Sequence, residues 1–207
     1  MTALRTLIVP GLDGSPAPHW QQWWAATEAG ALMVDLPAPA RPDPADWETE
    51  LAGMILRHPD SILVGHSLGA VLIARVLAGG ARLRVRAALL VAPAETGLSR
   101  RIADFSPIPE IRLPVPTTVV ASRNDPWMQF GRARDLATAW GSGFVDLGRA
   151  GHVNVASGFG PWPRGKALRD GLVAASAGGP VLAGPGPRPV RGLRAEGRGR
   201  DRRSLSR

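Results

Sequence analysis

The segment SILVGHSLGAVL, residues 61–72, runs a strand-like stretch, Ser61–Val64, into Gly65-His66-Ser67-Leu68-Gly69 and then at once into an apolar helical pattern. A chain that passes from strand to helix within so few residues must turn sharply at Ser67, and such a turn forces its central residue into strained backbone. Side chains at the flanking positions would collide with the neighbouring strand and helix, which is why glycine is expected at 65 and 69. G-x-S-x-G in this setting reads as a nucleophile elbow. Ser67 projects its Oγ above the sheet, at the start of a helix whose free N–H groups favour developing negative charge.

Strand and helix signals alternate on both sides of this turn. Upstream, RTLIVPG (5–11) reads as a strand ended by Pro10 and Gly11, and HWQQWWAATEAG (19–30) spaces Trp20, Trp23 and Trp24 as one helix face. ALMVDLP (31–37) is a second strand, and DPADWETELAGMILRH (43–58) a helix opened near Pro44 with Trp47, Leu51, Met54 and Ile55 on one face. Downstream, RAALLVAPA (86–94) is apolar from Ala87 onward, as strands buried on both faces are. PTTVVASRND (116–125) and GFVDLGRAGH (143–152) supply two further strands, with helices at 126–141 and around 164–177. Repeated strand–helix units predict an α/β fold, a mostly parallel central sheet with helices on both faces. Ligands then bind beyond the carboxyl ends of the strands.

The composition bounds the possible functions. Of 207 residues, 44% are hydrophobic, enough for one α/β domain with a sizeable core, placed at residues 1–177. Without cysteine there is no disulfide framework, no cysteine-ligated zinc and no thiolate nucleophile, and no cofactor or metal is expected. The net charge of +8 is concentrated at one end, where residues 178–207 carry eight arginines against Glu196 and Asp201. The body is close to neutral. This Gly/Pro/Arg-rich tail lacks apolar periodicity and is expected to be disordered. No aromatic is interleaved with its arginines to stack on bases, so no nucleic-acid partner is expected. No apolar run reaches the length of a membrane span, and the opening segment reads into a strand rather than a signal peptide, which predicts a cytoplasmic protein with no membrane partner.

A serine hydroxyl needs a base, and the chain offers four histidines. His66 adjoins Ser67, and its side chain should leave the turn in another direction. His58 ends a helix, and His19 opens the tryptophan helix as a capping or packing residue. His152 sits in a Gly-flanked loop after the last strand and is the candidate base. Asp125 ends the preceding strand at Pro126 and is the candidate orienting carboxylate; Asp146, inside a strand, is its rival. The order Ser67, Asp125, His152 is that of α/β-hydrolases. The backbone amides of Leu12, in the loop PGLDGS, and of Leu68 are the expected oxyanion donors. Trp20, Trp23, Trp24, Trp47 and Trp140 are read as core, whereas Trp127 and Trp162, close in sequence to Asp125 and His152, are possible substrate-pocket residues.

Taken together, VPGLDGSPAPHWQQWW, LVGHSLGA, VASRNDPW and GHVNVASGFGPWPRG resemble the small serine hydrolases related to retinoblastoma-binding protein nine and their bacterial relatives, over roughly residues 4–175. The resemblance implies a hydrolase with little or no cap domain, the triad Ser67, Asp125 and His152, and esterase or peptidase-like activity. Two features depart from the pattern: Arg164 stands in WPRG where the family usually has an acidic residue, and the arginine-rich tail has no counterpart. A chain without cysteine cannot carry the family's cysteine-containing retinoblastoma-binding motif, so that partner is not implied. The expected substrate is a small carboxylic ester, or an amide or peptide, in a shallow pocket. The rival expectation is a catalytically silent binding module on the same fold.

Overall fold

Strands that are apolar on both sides are stable only between two packed layers, and the sheet meets this condition across its centre. A computed structural model describes residues 4–80 and 83–177; the tail expected at 178–207 lies outside the described residues. Six strands, β1 (Thr6–Val9), β2 (Ala31–Met33), β3 (Ser61–His66), β4 (Val85–Val91), β5 (Thr117–Ala121) and β6 (Gly143–Asp146), pair in the order β2-β1-β3-β4-β5-β6. Every pairing is parallel. Side chains alternate along each strand. Ile8, Ile62, Val64, Leu89, Val91 and Val120 enter one core, while Leu7, Val9, Leu63, Leu90, Val119 and Ala121 enter the other.

Five helices close the two faces. Helices α2 (Pro44–Arg57), α3 (Leu68–Ala78) and α4 (Phe130–Trp140) cover one core with Trp47, Leu51, Ile55 and Trp140. On the other side α1 (Trp20–Thr27) and α5 (Pro163–Ala177) pack Trp20, Trp24, Leu168 and Leu172. Local chemistry starts and stops these helices. Asp43 accepts from the amides of Ala45 and Asp46 ahead of α2, with Pro44 in its first turn. Gly141, at φ 67°, ends α4 in the left-handed conformation. Trp23 departs from the expected core: it is half-buried at the surface of α1, with Lys166 Nζ 4.5 Å above its ring.

Between β4 and β5 the chain forms only two short 3₁₀ turns, at Thr96–Leu98 and Ala103–Phe105. It lies flat because Ile102, Phe105, Ile108 and Leu113 are buried in the α2–α3 core, and Arg75 Nη1 donates to the Phe105 carbonyl at 2.9 Å. Among the described residues no cap rises over the sheet. Among the described residues no helix is long and apolar enough to cross a membrane.

Strand order reverses between β1 and β3, since β2 lies beyond β1 and β4 beyond β3. The loops leaving these two strands therefore diverge and open a crevice at the carboxyl end of the sheet.

Candidate active site

Ser67 occupies the turn at one wall of this crevice with φ 56° and ψ −122°, a conformation sparsely populated by residues with a side chain. Its two glycines are sterically required. A Cβ on Gly65 would stand 2.7 Å from the Gly69 carbonyl oxygen and from Ile73 Cδ1 of α3. A Cβ on Gly69 would stand 2.3 Å from the Val9 carbonyl oxygen at the end of β1. Although Ser67 is at the N-cap position of α3, its hydroxyl makes no capping bond. It points instead at His152, whose Nε2 lies 2.8 Å from Ser67 Oγ.

His152 arrives on the loop after β6. Its Nδ1 is 2.8 Å from Asp125 Oδ1 and 2.9 Å from Oδ2, and both side chains are nearly inaccessible, at 7% and 4% exposure. A short turn after β5 delivers Asp125, and the Trp127 amide donates to its Oδ1 at 2.8 Å. Asp146 is elsewhere: it pairs with Arg123 at 2.8 Å and accepts from the Gly148 amide at 2.7 Å. The His152 loop carries its own ties. The His152 amide donates to Ser157 Oγ at 3.0 Å, and the Gly151 amide donates to Asn124 Oδ1 at 2.9 Å.

The loop after β1 forms the opposite wall. A Cβ on Gly11 would lie 3.0 Å from Ser67 Cβ and 3.3 Å from the Leu68 nitrogen, tighter than ordinary contact, so a glycine here lets the two segments approach without displacing either. Among the described residues neither the Leu12 nor the Leu68 amide has a hydrogen-bond acceptor. Both residues line a cavity of about 410 Å³ together with Ser67, His152, Trp127 and Ile102. The buried Gln21 holds this loop, accepting from Ser15 Oγ at 2.6 Å and donating to the Val9 carbonyl at 2.9 Å. At the rim Arg101 Nη1 donates to Asp13 at 3.0 Å.

Trp127 lines the cavity as expected of a pocket residue, but Trp162 does not. Its ring turns away into the α1–α5 core, 5.2 Å from Trp20 and 5.7 Å from Phe159 in edge-to-face contacts, because it immediately precedes α5 and faces the sheet from below the crevice. His19 and His66 both line the cavity, beyond the roles read from sequence. His19 Nδ1 does cap α1, accepting from the Gln21 amide at 3.2 Å, yet its ring stands 4.9 Å from that of His66. The His66 ring in turn stands 4.9 Å from that of His152. Burial, then the nearby His152, push His19 down to about 4; burial and both neighbouring histidines hold His66 well below the usual imidazole range. No local pattern announces a column of three histidines drawn from 19, 66 and 152.

The sequence matches the serine hydrolase family over residues 6–170. Among solved structures, a YdeN-like hydrolase from Pectobacterium atrosepticum is 36% identical, with 82% of this chain and 90% of that one covered and a TM-score of 0.74. The ydeN gene product of B. subtilis is 21% identical over 83% of this chain and 100% of its own, with a TM-score of 0.70. Est1E from Butyrivibrio proteoclasticus, solved with ferulic acid bound, shares the fold at 12% identity and a TM-score of 0.62, covering 83% of this chain and 87% of its own. No curated protein matches. With the elbow, the parallel sheet and a family match over most of its length, the chain belongs to the serine hydrolase family and has the α/β-hydrolase fold.

Proposed function

We propose that the chain hydrolyses small carboxylic esters, and amides or peptides of similar size, through an acyl-enzyme on Ser67. The observation that carries this reading is the continuous pair of hydrogen bonds from Asp125 through His152 to Ser67, 2.8 Å at each step. Ser67 Oγ attacks the substrate carbonyl carbon as its proton passes to His152 Nε2. Asp125 keeps the other ring proton on Nδ1 and stabilises the imidazolium. Negative charge on the carbonyl oxygen falls to the amides of Leu12 and Leu68. The imidazolium then gives its Nε2 proton to the leaving oxygen or nitrogen as the scissile bond breaks, leaving the acyl group on Ser67. Water attacks this ester, with its proton going to Nε2; the acid departs and Ser67 recovers its proton.

The cavity supports an uncharged, compact substrate. Among its lining residues Asp13 alone carries a formal charge, and Arg101 neutralises it. About 410 Å³ lies near the lower end of small-molecule sites. The same reading extends the sequence resemblance to the hydrolases related to retinoblastoma-binding protein nine. Turnover of p-nitrophenyl butyrate by the wild type and Ser67→Ala is the test. The expected result is a loss of at least about a thousandfold in a folded variant. Turnover retained by Ser67→Ala would move the nucleophile elsewhere, and a wild type inert toward every small ester and amide would favour the silent binding module.

A further inference from the structure

The loop that carries His152 has an unusual backbone immediately after it. Val153 has φ 51°, in the left-handed region where a β-branched residue is a genuine outlier. Such a conformation persists only where the surroundings over-determine it. Two buried ring donors do so here. The carbonyl of His152 accepts from His66 Nε2 at 2.8 Å, and the next carbonyl, of Val153, accepts from Trp20 Nε1 at 2.8 Å. The two donor rings meet edge to face, 5.9 Å apart at 86°.

We infer that His66 is a positioning residue for His152, its Nε2–H tying the base's own backbone to the strand end that carries the nucleophile. The inference rests on the reading of Ser67 and His152 given above. His66 is the last residue of β3 and directly precedes Ser67, whose amide is fixed to the Val91 carbonyl at 3.0 Å. The other tie to the His152 backbone comes from Ser157 in its own loop, and its ring is held by Asp125 from the turn after β5 and by Ser67 from the elbow. Among the described residues only the His66 bond and the Trp20 bond anchor this backbone from β3 and α1. A neutral His66 has one N–H, and the carbonyl takes it. Burial keeps the ring neutral, which also spares His152 a neighbouring positive charge as it accepts the serine proton.

Two substitutions separate this role from simple filling of space. His66→Gln keeps an N–H donor at about the reach of Nε2, whereas His66→Leu keeps apolar bulk and removes the donor. With p-nitrophenyl butyrate, His66→Leu is expected to lose about tenfold to a hundredfold in kcat with KM changed less than about twofold, and His66→Gln to retain at least about a third of wild-type kcat. The low-field proton resonance of His152 Nδ1 should broaden or vanish in His66→Leu and persist in His66→Gln. Equal losses in both variants, or no loss in either, overturn the inference. Should His66→Leu fail to fold, a tenfold loss in folded His66→Gln overturns it alone, and retained kcat and resonance there uphold it. Fluorophosphonate labelling of the wild type keeps the two readings apart: a wild type that does not label fails the catalytic reading itself, whereas a labelling wild type with indistinguishable His66 variants fails only this one.

Discussion

The Cβ that Gly69 lacks would lie 2.3 Å from the carbonyl oxygen of Val9 and 2.4 Å from that of Pro10. Helix α3 thus starts in direct contact with the end of β1, and this contact brings the Leu12 loop beside Ser67. Neither opposing atom is a flexible side chain that can swing aside. Gly69→Ala should therefore cost at least about 1–3 kcal/mol as overpacking against backbone. Gly131, in α4 with open space around it, is the control: Gly131→Ala should stabilise by about 0.4–1 kcal/mol through the unfolded chain. Urea unfolding midpoints decide the matter, and equal midpoints for the two variants would contradict the packing argument.

The two carboxylates that compete in sequence for the orienting role should separate sharply by rate. Asp125 holds His152 Nδ1, whereas Asp146 is engaged with Arg123 and the Gly148 amide. Asp125→Asn is expected to lower kcat by about 10⁴, because an amide no longer favours the required tautomer or the imidazolium. Asp146→Asn should stay within about threefold of wild type, as for an exposed ion pair. Steady-state kinetics that rank them the other way would reassign the carboxylate.

Much of this arrangement is legible in the sequence, for a physical reason. The elbow is written in contiguous residues, because its steric demands fall on positions two apart from Ser67. Asp125 stands out because it follows a late apolar strand just ahead of Pro126, although β5 ends earlier, at Ala121, and a turn carries the carboxylate; His152 stands out because no other histidine follows a late strand. The His66–His152 and Trp20–Val153 bonds are different: they join residues 86 and 133 positions apart. Which ring N–H meets which carbonyl depends on how two βα units pack, and no local pattern encodes that. Trp162 fails as a pocket residue for the same reason. Its distance from His152 along the chain says nothing about which side of the sheet its ring enters.

Stability should fall as pH drops below about 6.5. His19 is pushed down to about 4 and His66 well below its usual value, so both are neutral in the folded protein but gain protons near 6.5 when unfolded. Their contribution is present above about 6.5 and is lost as pH falls toward the folded values. Between pH 6 and 5 each should remove up to about 1.4 kcal/mol of unfolding free energy per pH unit. Urea titrations at pH 7, 6 and 5 test this, with His19→Gln expected to show a shallower slope than wild type. A flat wild-type profile, or an unchanged slope in the variant, would contradict it.

Acyl length should matter only over the first few carbons. A buried methylene gains about 0.8 kcal/mol, but only where apolar walls remove it from water. The cavity is about 410 Å³, and the segment between β4 and β5 lies flat without building a tunnel above it. kcat/KM for p-nitrophenyl acetate or butyrate should therefore exceed that for the palmitate, with no activation by lipid interfaces. A steady rise beyond about eight carbons would reveal a buried acyl channel.

The most direct measurement is the site of covalent attack by a fluorophosphonate, read by mass spectrometry of the digested protein. Such a reagent phosphonylates a serine readily only where a base removes its proton and amides hold the developing oxyanion. With His152 Nε2 2.8 Å from Ser67 Oγ, wild type should carry one adduct, on the peptide containing Ser67. Ser67→Ala should carry none, and Asp125→Asn should label far more slowly. An adduct on any other residue, or a folded wild type that stays unmodified, would contradict the assignment of Ser67 as an activated nucleophile.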